Sequence, residues 1–498
     1  MAAWRLTDPG LEVERRLEQT YHHAGFSVTI TSLTNLLAFL LGIASPYRAT
    51  RLLCCYAALS VFTAFIFQLT FFGGFLVLLG RAEAANRHGL TLRTVKPLSL
   101  ADEDGRAYRL CCTGGTDPQN PDDPRDNREH VAMVFCRDVL GSWLSSTLGK
   151  ILVLLSYVAF LGLAVFGFFR ITEGMRLDDN FGQGTYPYRF MELDQRYFYK
   201  FAFRYQLIID HPLDYFDENI QRRSSTIAFE DRFLTNPMYQ NYAYDVVFND
   251  DHTEIVASRF FQQIQDVKDF VDFTEITTKL WNTIDSLPLK VMLYHPLMML
   301  VEMHIGAFWM TLKTIIITSF IMIIITFAFL PNLAYSLWVS FAIISTILGT
   351  IGFLPFWNVN LNAPTMVTLI ISIGFCVDNA AHITYAFGNS KKTTGDSKMR
   401  DALYYVGVPI AQACISTMIG VVFLLLTPSY TFHMFAKTIC ILMAFALYHS
   451  IVLLPVLHSL TFSILSKSSS DKTEPKKVRF YKGPDSGVDI PFIDANNT

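Results

Sequence analysis

The stretch GFCVDNAAHITYAF, Gly374–Phe387, places an acid inside one of the longest apolar runs of the chain. On insertion scales a carboxylate at mid-bilayer costs about 2.5–3.5 kcal/mol, so a membrane helix that carries one usually uses it. His382 follows Asp378 by four residues, which puts both side chains on one helical face, one turn apart. An acid–imidazole pair of this kind is typical of a proton or cation relay, and the spacing therefore predicts an ion-coupling site.

The composition predicts a mainly α, polytopic helical membrane protein. Of 498 residues, 51% are hydrophobic and 17% are charged, whereas soluble proteins average about 25% charged residues. A hydrocarbon core of about 30 Å needs about 20 apolar residues per helix. About eight runs of this kind are present: Phe26–Gly42, Leu52–Leu79, Ile151–Phe169, Thr314–Leu330, Leu333–Phe356, Thr365–Phe387, Val408–Leu426 and Thr438–Ile464.

Lysine and arginine favour cytoplasmic loops, and they are concentrated in Gly388–Tyr405 and in the tail after Leu465. Both termini are therefore predicted to be cytoplasmic. The predicted organisation is a cytoplasmic amphipathic segment (1–25), two transmembrane helices (26–79), a flexible cytoplasmic loop (80–148), one helix (149–171), an extracellular α+β domain (172–310), a five-helix bundle (311–464) and a disordered tail (465–498).

The extracellular segment 172–310 carries strand and helix patterns in alternation. Arg204–Asp210 and Leu289–Tyr294 are predicted strands, and Thr253–Phe260 is a candidate third strand. Helical patterns cover Leu213–Arg223 and Gln265–Ile284. This order predicts a split βαβ, ferredoxin-like module. The segment contains no cysteine, so it must fold without disulfides.

Several stretches resemble Patched-related proteins of the resistance–nodulation–division (RND) superfamily, which carry a sterol-sensing domain. FWNVNLNAPTMVTLIISIGFCVDNAAHITYAF (Phe356–Phe387) is similar to the family's antepenultimate helix. The segments Gly407–Thr438 and Ala446–Leu460 resemble its last two helices, and Gly25–Ile43 resembles its fifth. QLIIDHPLDYFDENIQ (Gln206–Gln221) resembles the start of its second extracellular domain.

The resemblance implies a transporter-like protein that moves or senses a membrane sterol or lipid and is coupled to a proton or Na⁺ gradient. It also implies a link to Hedgehog-type signalling, with an extracellular lipid-modified ligand as partner. The family has twelve spans, and this chain begins where the fourth would end, so we expect an N-terminally truncated form. A short isoform, a fragment and an incomplete gene model all remain open. The plasma membrane is favoured over endosomal or vesicular membranes.

The Gly374-x-x-x-Asp378 spacing is similar to a family motif, and by that resemblance Asp378 couples substrate movement to an ion. The alternative is a structural acid that orients helices by hydrogen bonding. For His382, the functional reading is a relay partner or counter-ion of Asp378. The alternative is a histidine that is hydrogen-bonded to a backbone carbonyl or to Thr384.

Polar residues elsewhere in the spans are candidates for helix packing or for lining the site. Gln412, Ser416 and Thr417 have family counterparts near the acidic motif, although hydroxyls often bond to the backbone of their own helix. Asn362 stands where the family usually has aspartate. The first span is unusually polar and either lines the bundle interior or packs through small residues. Its polar residues are Ser27, Thr29, Thr31, Ser32, Thr34 and Asn35.

Other functional classes lack a sequence signal. There is no nucleotide-binding loop, nucleophile elbow or zinc-type spacing of cysteine and histidine, so we expect neither an enzyme nor a metal or cofactor. No basic patch with interleaved aromatic residues suggests nucleic acid. Two alternatives to transport stay open: a membrane receptor or regulatory scaffold, and an incomplete fragment of a twelve-span transporter.

Overall fold

The computed structural model describes residues 2–471 except 6, 9, 45–47, 89–90, scattered positions between 103 and 128, 172–180, 183, 199–202, 213–233, 252–253, 266, 268–269, 288–289 and 331, together with 480–481 and 490–491. Long helices dominate this part of the chain. The main ones are α1 (Val13–Gly42), α2 (Arg48–Leu69), α3 (Phe71–Ala84), α4 (Thr147–Phe168), α5 (Tyr186–Tyr197), α6 (Phe270–Asp285), α7 (Met298–Phe329), α8 (Leu333–Phe353), α9 (Ala363–Asn389), α10 (Gly395–Ala402), α11 (Val408–Val422), α12 (Tyr430–Tyr448) and α13 (Leu454–Asp471).

Within the described residues, seven helices are long and apolar enough to cross a membrane, or eight if α1 counts as one span despite a 49° bend between Val13–His22 and Ser27–Gly42. This confirms the prediction of about eight spans. In two spans a single π-helical turn joins two helices: Leu403–Gly407 joins α10 to α11, and His449–Leu453 joins α12 to α13.

Helix α9 lies at the centre of the bundle. In the most apolar 18-residue stretch of the span Val367–Asn389, 81% of the residues are buried, against 22% in that of Thr147–Phe168 and 11% in that of Thr50–Ala84. Helices α1, α7, α8 and α12 pack around it. Glycines permit the closest crossing elsewhere, since a Cβ on Gly352 of α8 would collide with the Ala164 carbonyl of α4. The other two spans thus expose most of their apolar surface, and α9 is enclosed by its neighbours.

The α+β module contains a four-stranded antiparallel sheet. Its strands are β1 (Phe203–Ile209), β2 (Val246–Phe248), β3 (Ile255–Ile264) and β4 (Val291–Tyr294), in the order β2-β3-β1-β4. This is the order of a ferredoxin-like sheet, as predicted. Tyr205 of β1 stacks on Phe273 of α6, with the ring centroids 5.5 Å apart, and both side chains are fully buried.

The predicted strands are confirmed with small shifts of their ends, and the predicted second helix begins at Phe270 rather than at Gln265. The sequence analysis missed β2 because three residues are too few to show an alternating pattern. The helical pattern over Leu213–Arg223 lies outside the described residues.

One part of the loop that was expected to be flexible, 80–148, is helical. Three short helical pieces run from Val131 to Ser145. The Arg137 guanidinium bonds Glu129 at 3.0 Å and Asp138 at 2.9 Å, and the Tyr404 hydroxyl donates to Glu129 at 3.1 Å. Contacts to α10 and the turn after it are not local in sequence, which is why composition alone suggested disorder. Helix α13 likewise continues past Leu465, into the predicted tail.

Candidate functional site

The site forms where α1 crosses α9. Asp378 is buried, with 7% of its surface exposed. The Thr34 hydroxyl donates to its Oδ1 at 2.6 Å, and the Asn35 amide donates to its Oδ2 at 2.6 Å. The same Asn35 nitrogen lies 3.0 Å from the Thr31 carbonyl, which fixes the orientation of the amide because both neighbours are acceptors. Each carboxylate oxygen therefore receives one neutral donor from the neighbouring helix.

The imidazole of His382 is held by the same helix. The Ser27 hydroxyl lies 2.5 Å from its Nδ1, and the Thr31 hydroxyl lies 2.8 Å from its Nε2. A neutral imidazole has one donor and one acceptor nitrogen, and a hydroxyl can serve either. The partners of His382 are thus side chains of α1, whereas the sequence analysis had considered Asp378, a backbone carbonyl or Thr384.

The two helices match in spacing. Ser27, Thr31, Thr34 and Asn35 stand at i, i+4, i+7 and i+8 of α1, which places them along one face of the helix. Asp378 and His382 stand at i and i+4 of α9. A polar stripe on each helix therefore meets its counterpart inside the bundle, and hydrogen bonds of this kind contribute about 0.6 kcal/mol on average in a membrane protein.

Gly374 sets the distance between α1 and α9 one turn before Asp378. A Cβ at this position would lie 2.7 Å from Asn35 Oδ1 and 3.4 Å from the Ala38 Cβ. The glycine leaves room for the amide that bonds Asp378. Its contribution is therefore close approach of the helices rather than backbone flexibility.

A small cavity adjoins the site between α1, α7 and α9. Its volume is about 20 Å³, which is room for about one water molecule. Its lining is mostly apolar, and Ser27, Thr34, Thr326, Tyr385 and His382 are the polar residues that border it. This cavity gives the imidazole edge and the Thr34 hydroxyl a shared space into which a water or a proton carrier fits.

Asn362 begins α9 and does not reach Asp378. Its side chain accepts from the Thr365 backbone and its backbone N–H donates to the Thr365 hydroxyl, which forms a capping box. The amide nitrogen also lies 3.3 Å from the Met434 sulfur. Asn362 therefore fixes the start of the central helix and its contact with α12.

The structure does not bring the α11 candidates to Asp378. Gln412 and Ser416 are exposed on the outside of the bundle, and Thr417 is half-buried. The hydroxyls of Ser416 and Thr417 both donate to the Ala413 carbonyl, at 3.1 and 2.9 Å. These two residues therefore follow the alternative, in which a hydroxyl bonds to a backbone carbonyl of its own helix.

Sequence reasoning noted the polar residues of α1 without assigning their partners. The spacing that they share with Asp378 and His382 was the available signal. It also missed a second histidine contact, in which Thr384 of α9 meets His458 of α13. Among the described residues, no cluster of three His, Cys, Asp or Glu side chains could hold a metal ion.

Comparison with known proteins relates parts of the chain to Patched and AcrB-type membrane proteins. The family described as Patched SSD matches residues 1–78, and the AcrB/AcrD/AcrF family matches residues 305–485. Patched-related protein 9 of Caenorhabditis elegans is 22% identical over 494 residues, which is 92% of this chain and 56% of that protein. The chain thus spans about half the length of that relative.

Two further similarities are more local or more distant. A Niemann-Pick type C1-related protein of Toxoplasma gondii is 27% identical over 150 residues, or 30% of this chain and 13% of that protein. The hedgehog release protein Disp of the water bear Hypsibius dujardini, solved by cryo-EM, matches with a TM-score of 0.55 at 14% identity. That match covers 92% of this chain and 61% of the Disp chain, and it supports the fold alone.

Proposed function

We propose that this chain, a Patched-related membrane protein of the RND type, takes part in moving a membrane sterol or lipid, driven by proton exchange at Asp378. The observation that carries the proposal is the pairing of a buried carboxylate with two neutral donors on a second helix. Among the described residues no cation pairs with Asp378, so its charge is balanced by hydrogen bonds alone.

Protonation of Asp378 would change the hydrogen-bond partners that this side chain needs from α1. An ionised carboxylate only accepts hydrogen bonds, and it receives them from Thr34 and Asn35. A protonated carboxyl carries its own donor, so one of the two oxygens then requires an acceptor. The Thr34 hydroxyl can become that acceptor by turning its hydrogen to the Ile30 carbonyl, which lies 2.9 Å from its Oγ1. Gain or loss of one proton thus reverses the direction of a hydrogen bond that joins α1 to α9.

The donors also favour a proton over Na⁺ as the exchanged ion. Asn35 presents its NH₂ group to Asp378, since the same nitrogen faces the Thr31 carbonyl. A metal cation needs oxygen lone pairs, and here hydrogens point at the carboxylate. His382, held one turn away by Ser27 and Thr31, is in position to hand protons on through the adjoining cavity.

The substrate class and location rest on similarity. The residues that resemble the Patched-related family imply a sterol or lipid, and the matched Patched SSD family agrees with that class. A lipid-modified extracellular ligand is the second substrate type, because the similar Disp protein is a hedgehog release protein. The plasma membrane is the proposed site of action, with no enzymatic chemistry.

Reconstitution tests the proposal. The full chain is placed in liposomes with a fluorescent sterol, dehydroergosterol, and its transfer to acceptor vesicles is followed with and without a pH gradient. We expect gradient-dependent transfer in the native chain and its loss in Asp378→Asn. Asp210→Asn, which changes an exposed acid beside β1, serves as the control and retains transfer. Equal gradient-dependent transfer by D378N would contradict proton coupling at Asp378, and absence of transfer by the native chain would favour a receptor or scaffold.

A further inference from the structure

A second buried histidine, outside the site described above, lies between α8, α9 and α13. His458 has no exposed surface. The Tyr335 ring of α8 meets it edge-on at 5.1 Å between centroids, and the Phe387 ring of α9 lies at 5.4 Å. One polar contact reaches the imidazole: Thr384 Oγ1 lies 2.9 Å from Nε2.

The Thr384 contact determines which nitrogen of His458 carries the hydrogen. Thr384 Oγ1 lies 2.7 Å from the Ala380 carbonyl oxygen, and two oxygens at this distance need a hydrogen between them. The hydroxyl has only one hydrogen, so it donates to Ala380 and accepts from His458. His458 is therefore the Nε2–H tautomer, and its Nδ1 is a bare lone pair.

That lone pair is buried, and no donor among the described residues reaches Nδ1 of His458. An unsatisfied buried acceptor costs about 1–3 kcal/mol, so a structure that keeps one calls for an explanation. A nearby histidine shows the ordinary solution: His449 donates from Nδ1 to the Phe445 carbonyl at 2.8 Å, and its Nε2 lies 2.9 Å from the Ser345 hydroxyl. Both of its nitrogens are satisfied.

The elements packed on α13 bring charged groups near His458, but none touches the ring. From α10, Asp396 accepts from the Ser459 hydroxyl at 2.5 Å and pairs with Lys150 at 2.6 Å. Lys398 lies 5.3 Å from the centre of the Phe462 ring, and Asp401 accepts from Ser390. Further titratable or charged groups on the packed elements are Tyr335 of α8, Arg400 of α10, His449 of the π-helical turn and, on α9, Cys376, Asp378, His382 and Tyr385.

We propose that Nδ1 of His458 is a second proton-binding site of this membrane bundle. In the packed state the ring is neutral, because a cation among Tyr335, Phe387 and α13 would have no counter-charge in contact. Uptake of a proton at Nδ1 therefore requires α13 to loosen from α8 and α9, so that water or Asp396 reaches the ring. The inference does not depend on proton exchange at Asp378.

The tautomer is tested first. The full chain, labelled with ¹⁵N at histidine and placed in phospholipid nanodiscs, is measured by NMR, with His458→Gln and His449→Gln to assign the two signals. At neutral pH we expect an Nε2–H tautomer at His458 and an Nδ1–H tautomer at His449. An Nδ1–H tautomer at His458 would overturn the proposal. If H458Q fails to insert, His458→Asn provides the same assignment.

Acidification then tests proton uptake. We expect Nδ1 of His458 to gain a proton while amide hydrogen exchange across α13 rises, and H458Q to lose that rise while H449Q keeps it. A His458 that stays neutral until the protein unfolds, or the same rise of exchange in H458Q, would contradict the site. Asp378→Asn should leave the His458 response intact, which separates this inference from the proposed transport mechanism.

Discussion

Helices α9 and α11 both carry polar residues within apolar runs, yet the structure uses them differently. On α9, Asp378 and His382 each bond two side chains of another helix. On α11, Ser416 and Thr417 bond the carbonyl of their own Ala413 and stay at the outside of the bundle. The difference shows that a polar residue in a span becomes a site when a neighbouring helix carries a stripe of matching spacing.

The largest expected effect comes from closing the gap between α1 and α9. Gly374→Ala places a Cβ 2.7 Å from Asn35 Oδ1, and overpacking of this kind costs about 1–3 kcal/mol. We expect a lower unfolding midpoint in detergent and reduced gradient-dependent sterol transfer, since the amide that bonds Asp378 is displaced.

Gly420→Ala is the matched control on α11. A Cβ there meets no atom within 4 Å, so stability should change by less than about 0.5 kcal/mol. Equal destabilisation by both substitutions would mean that α1 and α9 are not in close contact in the membrane.

A smaller effect is expected from removing single hydroxyls. Thr34→Val deletes a donor to Asp378 and should destabilise the bundle by about 0.6 kcal/mol, the average for hydrogen bonds between membrane helices, and by at most about 1.7 kcal/mol. Thr417→Val removes only a bond to Ala413 within α11 and should cost less. Denaturant titration of both variants in mixed micelles measures the difference. A larger loss of stability in T417V than in T34V would contradict the contrast between α9 and α11.

The smallest loss of stability is expected in the α+β module, which lies outside the candidate membrane spans. Thr277 donates to the Phe273 carbonyl at 2.6 Å, so it accepts from the buried Tyr205 hydroxyl. Tyr205→Phe removes that bond and should cost about 0.5–1.5 kcal/mol. Burial raises the pKa of Tyr205 to about 12 from an ordinary 10.0.

The direction of this pKa shift predicts a pH dependence. Between about pH 10 and pH 12 the unfolded chain has lost the phenol proton while the folded chain keeps it, so the stability of the module falls as pH rises through this window. Y205F should show a flatter profile over the same range. Spectrophotometric titration of tyrosinate, with Y205F as the reference, checks the raised pKa of Tyr205. Ionisation of Tyr205 near pH 10 would contradict the buried hydrogen bond.

Local patterns in the sequence were enough for much of the fold. The apolar runs indicated about eight spans, and strand and helix patterns around Arg204 and Trp281 indicated the ferredoxin-like sheet. The acid at Asp378 and the glycine at Gly374 could also be singled out, because a charge in an apolar run is costly wherever the helix lies.

The partners of these residues could not be predicted in the same way. Thr34 and Asn35 lie more than 340 positions before Asp378, and helix packing brings them together. Helix packing likewise brings Thr384 next to His458, which lies 74 positions later in the chain. Gln412 was misleading for the converse reason: its polarity was visible in the sequence, but the direction in which α11 presents it was not.

The central claim is most directly tested by infrared difference spectroscopy of the full chain in nanodiscs across a pH titration. The account predicts a carboxyl C=O band from a protonated acid in a dry environment that appears on acidification and is absent in Asp378→Asn, with a simultaneous change in the amide signal of Asn35. A spectrum of D378N that matches the native chain at every pH would show that the buried carboxylate holds a fixed charge, and it would contradict proton exchange at this site.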